Sequence, residues 1–448
     1  MKKIVLLGAG KSSNVLISYL SKWAIEKGWY SYIGDVDLVG TQKKIANLPA
    51  CEAFQFDIQE ENSFISFIQN ADIVISMLPA MFHIQIATSC LKYKKHLITP
   101  SYISEEMMAL HEEALNNRLI FMNEIGLDPG IDHMSAMKII DKLHNKNAII
   151  TSFTSYCGGL IAPEYDNNPW HYKFTWNPRN VVLAGQGKGG LRYLTEQQYK
   201  YIPYFNLFKN TKSIEIKNHG RFEGYPNRDS LKYIPIYGLN NIDTMIRGTL
   251  RKEGFCEAWD ILVQLGLTED TYKLTLQKDC SYADFTNSFL NHTHLASKQA
   301  IEKTIKATIS QETFDKLNWL DLFNKEKRIK HDGSPAFILQ SILEEKLNLE
   351  PGDKDMIVMI HELEYTTSDQ KKEKIISSLV VTGKDEIETA MAMTVGLPIG
   401  IICKMILDGD YGEYGVQLPI SKGLYEPVLK ELETYGIQFN EEQISVQY

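Results

Sequence analysis

Residues 1–125 alternate short apolar runs with amphipathic stretches, and this alternation constrains the fold more than any other feature of the chain. Such a rhythm is typical of parallel strands joined by crossover helices. Between the first two runs, apolar residues from Val15 to Trp23 recur at helical spacing, which predicts an amphipathic helix. We predict strands at the following positions: Ile4–Leu7, Tyr30–Gly34, Ile73–Ser76, His96–Thr99 and Leu119–Asn123.

A glycine-rich string follows the first predicted strand and opens the first predicted helix. Gly8 permits a tight turn, and Gly10 lets the backbone approach a pyrophosphate that the N–H groups and dipole of the helix then stabilise. Lys11 and Ser12 continue the string, and Ser13 stands where a third glycine is usual. Because the string lies between a strand and a helix, we predict a dinucleotide site on a Rossmann domain of α/β class.

Two carboxylates, Asp35 and Asp37, follow the second predicted strand. A carboxylate at this position accepts hydrogen bonds from the ribose hydroxyls and repels a 2′-phosphate, so we predict NAD as cofactor in preference to NADP. The sequence does not distinguish which of the two is the ribose ligand. Asp57, Ile58 and Leu78 lie where contacts to adenine and to the nicotinamide ribose usually fall, after later strands of the sheet.

The composition excludes several classes of partner. A net charge of −9 and a pI near 5.7 argue against binding to nucleic acid or to an anionic membrane. No run approaches the roughly 20 apolar residues that span a bilayer. The six cysteines lack paired or metal-ligand spacing, so we expect reduced thiols, a cytoplasmic protein and no metal.

From Ile149 onward, apolar and polar residues alternate between turn signals, which predicts an α+β domain with a mostly antiparallel sheet. The strands predicted there are Ile149–Cys157, Lys212–Ile216, Asp355–Glu364 and Lys372–Thr382. Residues from Thr244 to Leu349 read as a helical insertion, with helices at Phe255–Leu265, Ser297–Ile309 and Phe337–Leu347. Two further helices are predicted at Glu386–Gly396 and Pro398–Leu407.

These patterns predict three domains. The Rossmann domain covers residues 1–127, with a C-terminal return at about 386–448. The α+β substrate domain covers 128–243 and 350–385, and the helical domain covers 244–349.

Four strings are too unusual to be scaffold alone. Asn123–His133 places Asp128 between a strand and a helix whose first turn tolerates Pro129. Tyr156–Glu164 ends a strand in glycines, which allows close approach by a ligand. Arginines in Tyr225–Ser230 and Ile246–Arg251 offer guanidinium groups suited to carboxylates.

These strings, together with Ser101–Ser104 and Lys173–Trp176, closely resemble those of the glutamate-forming saccharopine dehydrogenases, also called saccharopine reductases. The resemblance extends from Gly8 to the region Gly415–Ile437. It implies a homodimer of Rossmann, substrate and helical domains. It also implies reversible, NAD- or NADP-linked oxidation of saccharopine with water to glutamate and 2-aminoadipate 6-semialdehyde.

The resemblance also implies roles for single residues. Saccharopine would be held by Ser101, Tyr102, Asp128, Arg228, Arg247, Gly248 and Thr249, with Cys157 lining its pocket. The cofactor would be contacted by Ser101, Leu127, Asp128, Pro129 and Asn177. Fungal members resemble NADP enzymes with a basic residue after the second strand, whereas this chain has Asp35 and Asp37 there.

The chemistry of such a substrate fits these residues. Saccharopine carries three carboxylates, for which Arg228 and Arg247 supply bidentate partners, and a secondary amine that can pair with Asp128. The amine must lose its proton before hydride transfer. Asp128, Cys157 and Tyr102 are the candidate acid–base groups, and a bound water is a further candidate.

Each candidate also has a structural interpretation. Cys157 could be a small core residue, Tyr102 could bridge core and solvent, and Arg228 could pair with Asp229. Scattered histidines are more often structural than catalytic, and this applies to His83, His133, His171 and His361. The aromatic residues Trp170, Tyr172, Phe174 and Trp176 alternate at strand-like period and predict a packed face.

Two alternative functions fit the same fold. A sister reductase of carboxyspermidine or homospermidine type would take a polycationic substrate, and its pocket would be rich in acidic residues. A non-catalytic dinucleotide-binding protein could retain the same fold.

Overall fold

The computed structural model describes residues 1–186 and 190–445. Its strands are β1 (Lys3–Leu7), β2 (Tyr30–Asp35), β3 (Cys51–Gln55), β4 (Ile73–Ser76), β5 (His96–Ile98), β6 (Ile120–Met122), β7 (Ile149–Ile161), β8 (Leu191–Thr195), β9 (Gln198–Ile202), β10 (Lys212–Ile216), β11 (Gly220–Pro226), β12 (Thr244–Lys252), β13 (Asp355–Thr366), β14 (Lys372–Thr382), β15 (Gly415–Gln417) and β16 (Asn440–Ser445). Its α-helices are α1 (Asn14–Lys27), α2 (Leu38–Ile45), α3 (Ile65–Asn70), α4 (His83–Tyr93), α5 (Glu105–Met108), α6 (His111–Asn116), α7 (Ile131–His144), α8 (Pro178–Val182), α9 (Tyr233–Ile236), α10 (Phe255–Gln264), α11 (Tyr282–Asn287), α12 (Ser297–Ile305), α13 (Gln311–Trp319), α14 (Pro335–Leu347), α15 (Ala390–Asp408) and α16 (Lys422–Glu433).

The chain divides into two compact units. The first unit contains residues 1–148 and 379–440, and the second contains residues 149–378 with the C-terminal residues from Glu441. The structure thus places the boundary after Ala148 rather than after Leu127, because α7 packs on α16 and Tyr425 Oη donates a hydrogen bond of 2.6 Å to Asp141 Oδ2. Residues 244–349 belong to the same unit as the second sheet.

The first unit is built on a parallel sheet with the strand order β15-β6-β5-β4-β1-β2-β3. All pairings described in this sheet are parallel. The five predicted strands are confirmed, with ends that differ by one residue at most. The sequence missed β3, because this edge strand is short and only Phe54 in it is buried.

The C-terminal segment returns to the first sheet, where Gly415–Gln417 pairs with β6. The two helices predicted around Gly396 and Pro398 form one continuous helix, α15, with Pro398 inside it. The residues of α15 before and after Pro398 are mostly apolar and buried, so the helix is packed in the core on both sides of the proline. In the described residues, α15 alone is long and apolar enough to cross a membrane, with a mean hydropathy of 1.9. Of the 18-residue stretch of α15 that meets this criterion, 89% is buried inside the protein.

The second unit is built on a mixed sheet with the order β10-β11-β12-β7-β13-β14-β16, and β8 and β9 form a hairpin beside β12. Antiparallel pairing joins β10 to β11, β11 to β12 and β7 to β13, while β12 and β7 are parallel. The prediction of a helical segment from Thr244 was wrong, since Thr244–Lys252 is the strand β12. Its arginines Arg247 and Arg251 are buried, which conceals the polar and apolar alternation that identifies a strand.

The helical part of this unit packs around an aromatic core. Trp170, Tyr172 and Phe174 are buried in it, which confirms a packed face, although these residues lie in a loop rather than a strand. Trp259 stacks on Phe255 with ring centroids 5.2 Å apart. The predicted helices at 255–265 and 337–347 are confirmed, and that at 297–309 ends at Ile305 because Lys306 takes a left-handed conformation.

Helix α15 approaches α1 so closely that a glycine is required at the crossing. A Cβ atom on Gly396 would lie 2.9 Å from the backbone nitrogen of Leu16. We expect G396A to lower the free energy of unfolding by about 1–3 kcal/mol, because a backbone cannot yield as a side chain does. Urea unfolding followed by circular dichroism measures this change.

The matched control is G423A in helix α16, where a Cβ atom would meet nothing within 4 Å. Alanine is the better helix former, so G423A should leave stability unchanged or raise it by up to about 1 kcal/mol. Equal stabilities for G396A and the wild type would refute the close contact between α1 and α15.

Candidate dinucleotide and substrate sites

The glycine turn after β1 has the geometry that a dinucleotide requires. Gly8 has a φ of +100° and donates its N–H to Gly34 O at 2.8 Å, and a Cβ there would lie 3.0 Å from Met77 O. Only glycine fits such a position. Gly10 is exposed, and a Cβ on it would meet no atom within 4 Å, so a pyrophosphate has room beside it. Lys11–Ser13 form a short 3-10 turn that leads into α1.

Ser13 replaces the third glycine of the usual string without disturbing the turn. Its side chain is buried, and its hydroxyl donates a hydrogen bond of 2.9 Å to Gly8 O. The serine therefore stabilises the turn that precedes it.

The structure separates the two carboxylates that the sequence left as alternatives. Asp35 Oδ2 accepts a hydrogen bond from Ala9 N at 2.6 Å, and Asp35 Oδ1 accepts one from Asp37 N at 2.9 Å. Asp37 instead caps α2, because its Oδ1 accepts from Gly40 N at 2.9 Å. Asp35 thus lies at the glycine turn, and it is the carboxylate placed to meet a ribose.

Lys44, in the last turn of α2, also reaches this turn and was missed by sequence analysis. Its Nζ contacts the carbonyl oxygens of Ala9 and, at 3.2 Å, Gly10, and both Asp35 and Asp37 act on its charge. A lysine on a polar helix carries no motif, so only the folded chain shows this contact.

The other predicted cofactor residues lie near the ends of strands in the same unit. Asp57, after β3, accepts a hydrogen bond from Gln59 N at 2.9 Å, and Ile58 O accepts one from Gln85 Nε2 at 3.0 Å. Leu78 follows β4 and is partly buried. The roles of these residues toward a cofactor stay predictions.

His83 joins the ends of two neighbouring strands. Its Nδ1 is 2.8 Å from the hydroxyl of Ser76, and its Nε2 is 2.9 Å from that of Thr99 and 2.7 Å from that of Ser101. Burial lowers the pKa of His83 to about 4, so the ring is neutral at pH 7. His83 therefore holds Ser101, a predicted site residue, in place.

Tyr102 and Asp128 come together at the same edge of the sheet. The Tyr102 hydroxyl donates a hydrogen bond of 3.0 Å to Asp128 Oδ1. The two residues follow β5 and β6, and the carboxyl ends of parallel strands are where ligands bind in such sheets. Two of the three predicted acid–base candidates thus form one pair.

A compact loop presents Asp128. Gly126 N donates to Pro129 O at 2.8 Å, Gly126 O accepts from Ile131 N at 2.9 Å, and the Asp128–Pro129 peptide bond is cis. Pro129 was expected in the first turn of the helix, but α7 begins only at Ile131. Gly130, with a φ of +147°, cannot belong to a helix and ends the loop.

A buried carboxylate supports this loop. Glu124 is 1% exposed, and its side chain is 2.9 Å from His133 Nε2 and accepts from Ile103 N at 3.0 Å. Asp132 accepts from Gly130 N at 2.6 Å. Sequence analysis missed Glu124, whose left-handed backbone (φ +53°) is visible only in the structure.

In the second unit, Cys157 lies inside a strand rather than at its end. The strand β7 continues to Ile161, so the glycines after Cys157 are part of the sheet. Cys157 is 7% exposed and is in register with Thr249 of β12. Within the described residues there is no disulfide and no group of three or more His, Cys, Asp or Glu residues that could hold a metal.

The predicted substrate residues of this unit cluster on and beside β12. Arg247 is 3% exposed, with its guanidinium carbon 4.2 Å from the ring centroid of Tyr233. Thr249 Oγ1 accepts from Asn227 Nδ2 at 3.1 Å. Gly248 is needed for packing, because a Cβ on it would lie 2.5 Å from the ring of Tyr156.

Two more predicted site residues, one for the substrate and one for the cofactor, lie in structured turns of this unit. Arg228 has a φ of +55°, and its neighbour Asp229 accepts a hydrogen bond of 2.6 Å from Arg192 Nη2. Asn177 Oδ1 accepts from Arg179 N at 2.9 Å and so caps α8. Cofactor contact by Asn177 stays a prediction.

A parallel sheet with a glycine turn and an acidic residue at its carboxyl edge is typical of a dinucleotide-binding domain. The buried arginines of the second sheet add groups that bind carboxylates, and together these features point to a nicotinamide-dinucleotide-dependent oxidoreductase. Residues 4–122 match the family model of the saccharopine dehydrogenase NADP binding domain, and residues 126–437 match that of the saccharopine dehydrogenase C-terminal domain. The chain belongs to the saccharopine dehydrogenase family, as its sequence motifs predicted.

Relatives match from end to end. A saccharopine dehydrogenase (NADP(+), L-glutamate-forming) of Pyricularia oryzae is 32% identical over 99% of this chain and 99% of its own length. The mitochondrial alpha-aminoadipic semialdehyde synthase of Rattus norvegicus is also 32% identical, and this chain spans 47% of its length. Apo histidine-tagged saccharopine dehydrogenase (L-Glu forming) from Saccharomyces cerevisiae has a TM-score of 0.88 at 30% identity, covering 99% of this chain and 100% of that one.

The names of the family model and of the fungal relatives carry NADP, whereas Asp35 and Asp37 led us to predict NAD. The comparisons therefore support a nicotinamide dinucleotide and favour NADP over NAD.

The neutral His83 makes stability depend on pH. Its pKa is near 6.5 in the unfolded chain and about 4 in the folded one, so the unfolded state binds an extra proton between these values and stability falls as the pH falls. From pH 7 to pH 5 this loss is about 2 kcal/mol. H83Q, which does not titrate, should lose that much less stability over this range in urea unfolding.

The control is H219Q, which changes an exposed histidine in the turn between β10 and β11. Its unfolding should depend on pH as that of the wild type does. A pH dependence of H83Q equal to that of the wild type would contradict the burial of a neutral His83.

Proposed function

We propose that the chain catalyses the reversible oxidation of saccharopine with water to L-glutamate and 2-aminoadipate 6-semialdehyde, a reaction of lysine metabolism. The relatives that match it from end to end bear the name of this activity. The observation that carries the proposal is the hydrogen bond between Tyr102 and Asp128, which places an acid–base pair at the carboxyl edge of the dinucleotide-binding sheet.

The backbone after β1 holds the dinucleotide. The turn between Gly8 and Ser13 would hold the pyrophosphate, for which Gly10 leaves room, and Asp35 would accept from the adenosine ribose. When bound, the dinucleotide accepts a hydride from the substrate carbon that bears the amine.

Asp128 and Tyr102 act on the secondary amine. The protonated amine pairs with the Asp128 carboxylate, while the Tyr102 hydroxyl fixes the orientation of that carboxylate. The amine must lose its proton before the hydride leaves, and Asp128, directly or through a water molecule, receives it. Water then adds to the resulting imine, and cleavage of the C–N bond releases the aldehyde and glutamate.

The arginines of the second unit select a substrate rich in carboxylates. Arg247 is buried on β12, and Arg228 lies in the loop after β11. A polycationic substrate of carboxyspermidine type requires acidic side chains in these places, so the arginines favour saccharopine.

For the dinucleotide we propose NAD. The negative charge of Asp35 at the glycine turn repels a 2′-phosphate and suits a ribose with two free hydroxyls. NADP is the second candidate, which the names of the relatives favour, and Lys44 beside the same turn supplies a cation for a 2′-phosphate.

Initial rates of dinucleotide reduction with saccharopine test both proposals. We expect turnover with a higher kcat/KM for NAD than for NADP. D35N should raise the KM for NAD roughly tenfold and lower that for NADP, because it removes the charge and keeps an acceptor for Ala9 N.

The matched control is D37N, the same chemical change at the cap of α2, where asparagine serves equally well. D37N should leave both KM values unchanged. A preference of the wild type for NADP would refute the proposal of NAD but not the proposed enzymatic activity. Absence of turnover with either dinucleotide would refute the activity and favour a non-catalytic binding protein.

Arg228 supplies a test of the substrate. R228A should raise the KM for saccharopine about 10–100-fold, because a charge-assisted pair with a carboxylate is lost. R192A is the control, since Arg192 is partly exposed and its guanidinium pairs with Asp229. An unchanged KM in R228A would remove Arg228 from the substrate site.

A further inference from the structure

Arg251, near the end of β12, is a buried cation for which the family resemblance implies no role of its own. Its side chain is only 4% exposed. Its guanidinium carbon lies 5.1 Å from the ring centroid of Tyr172, 5.3 Å from that of Phe255 and 6.0 Å from that of Tyr225. The guanidinium is thus enclosed by three aromatic rings.

No carboxylate pairs with Arg251 within the described part of the chain. Its Nη1 donates to the carbonyl of Leu250 at 3.0 Å, and its Nε is buried without a hydrogen-bond partner. The acidic residue opposite it on β11, Glu223, accepts instead from Gly254 N and Cys256 N, each at 2.9 Å. A buried cation without a counter-ion is costly, and contacts with aromatic faces offset only part of that cost.

Two more polar groups beside Arg251 lack partners. Among the residues that the structure describes, the buried hydroxyls of Tyr172 and Tyr225 have no hydrogen-bond partner. Trp176 lies near the first and Thr249 near the second, but neither contact has hydrogen-bond geometry. Within the described residues, Arg251 and two of the aromatic side chains around it therefore each carry a buried donor without a partner. An acceptor that bears negative charge, such as a carboxylate, would satisfy these donors.

The position of Arg251 links it to the predicted substrate residues. Alternate residues of a strand point to the same face, so Arg251 shares its face of β12 with Thr249 and Arg247, at a Cα spacing of about 6.6 Å per two residues. Thr249 is in register with Cys157 on β7, and the Cys157 thiol lies close enough to act electrostatically on Arg251.

We propose that Arg251 binds one carboxylate of the substrate, with the hydroxyls of Tyr172 and Tyr225 as further donors. Saccharopine carries three carboxylates, and Arg251 supplies a third guanidinium beside Arg228 and Arg247. The inference rests on the proposed function and adds a substrate-binding residue to it.

The test is R251M, which keeps the length of the side chain and removes its charge. The KM for saccharopine should rise roughly 10–100-fold, while the melting temperature of the unliganded protein stays the same or rises, since an unpaired buried charge has been removed. In the reverse direction, the KM should rise for glutamate or for the semialdehyde but not for both, because one carboxylate belongs to one product. General damage to the fold would raise both.

K252M is the matched control. Lys252 is the next residue, and it lies on the opposite face of β12 with its Nζ 4.3 Å from the ring centroid of Phe222. It should leave every KM unchanged. R251K, which keeps a charge but not the planar fork, should fall between R251M and the wild type, and it serves as the measured variant if R251M does not fold.

A KM for saccharopine in R251M within about twofold of the wild type would overturn the inference and make Arg251 a core residue. Absence of turnover by the wild type would refute the proposed function separately. Calorimetry of glutarate binding then tests the inference. Glutarate binding by the wild type that is lost in R251M supports the role of Arg251. Equal binding by the two proteins, or no binding by the wild type, overturns it.

Discussion

Parallel pairing in the first sheet is the constraint on which the rest of that unit depends. Parallel strands end at one edge, so the segments that follow β1, β2, β4, β5 and β6 meet there whatever their separation along the chain. The glycine turn, Asp35, Ser101 and the pair Tyr102–Asp128 all lie at this edge. Partly buried hydrogen bonds help to fix their orientation.

Two sets of buried polar contacts support this edge of the sheet. His83, neutral because it is buried, accepts or donates to three hydroxyls and holds the ends of β4 and β5 together. Glu124 and Asp132 tie the following loop to its neighbours through backbone N–H groups. Each buried polar group in this set has a partner, which is what makes it stable away from water and able to hold a reactive residue still.

In the second unit, the buried charged groups at issue are arginines. Its sheet carries arginines on the face that packs against the aromatic core, and Arg251 there has rings around it but no carboxylate within the described residues. A fold that keeps an unpaired cation inside an aromatic core gives up stability. Binding of an anionic substrate is a physical reason for keeping it.

The sequence by itself determined the fold class, the glycine turn and the family. Apolar periodicity and the string from Gly8 to Ser13 depend on residues close together in the chain, so a local pattern is enough to read them. The same reading failed for β12, because its buried arginines conceal the polar and apolar alternation of a strand, and for β3, because an edge strand needs few apolar residues.

Only the tertiary structure decided which polar groups meet. It assigned Asp35 to the glycine turn and Asp37 to a helix cap, brought Lys44 to the same turn, and made His83 a support for Ser101. Hydrogen bonds and charge pairs act over a few ångströms between residues that are distant in the chain, and no local pattern encodes such distances. Whether Arg251 is core or binding surface depends in the same way on what surrounds it in space.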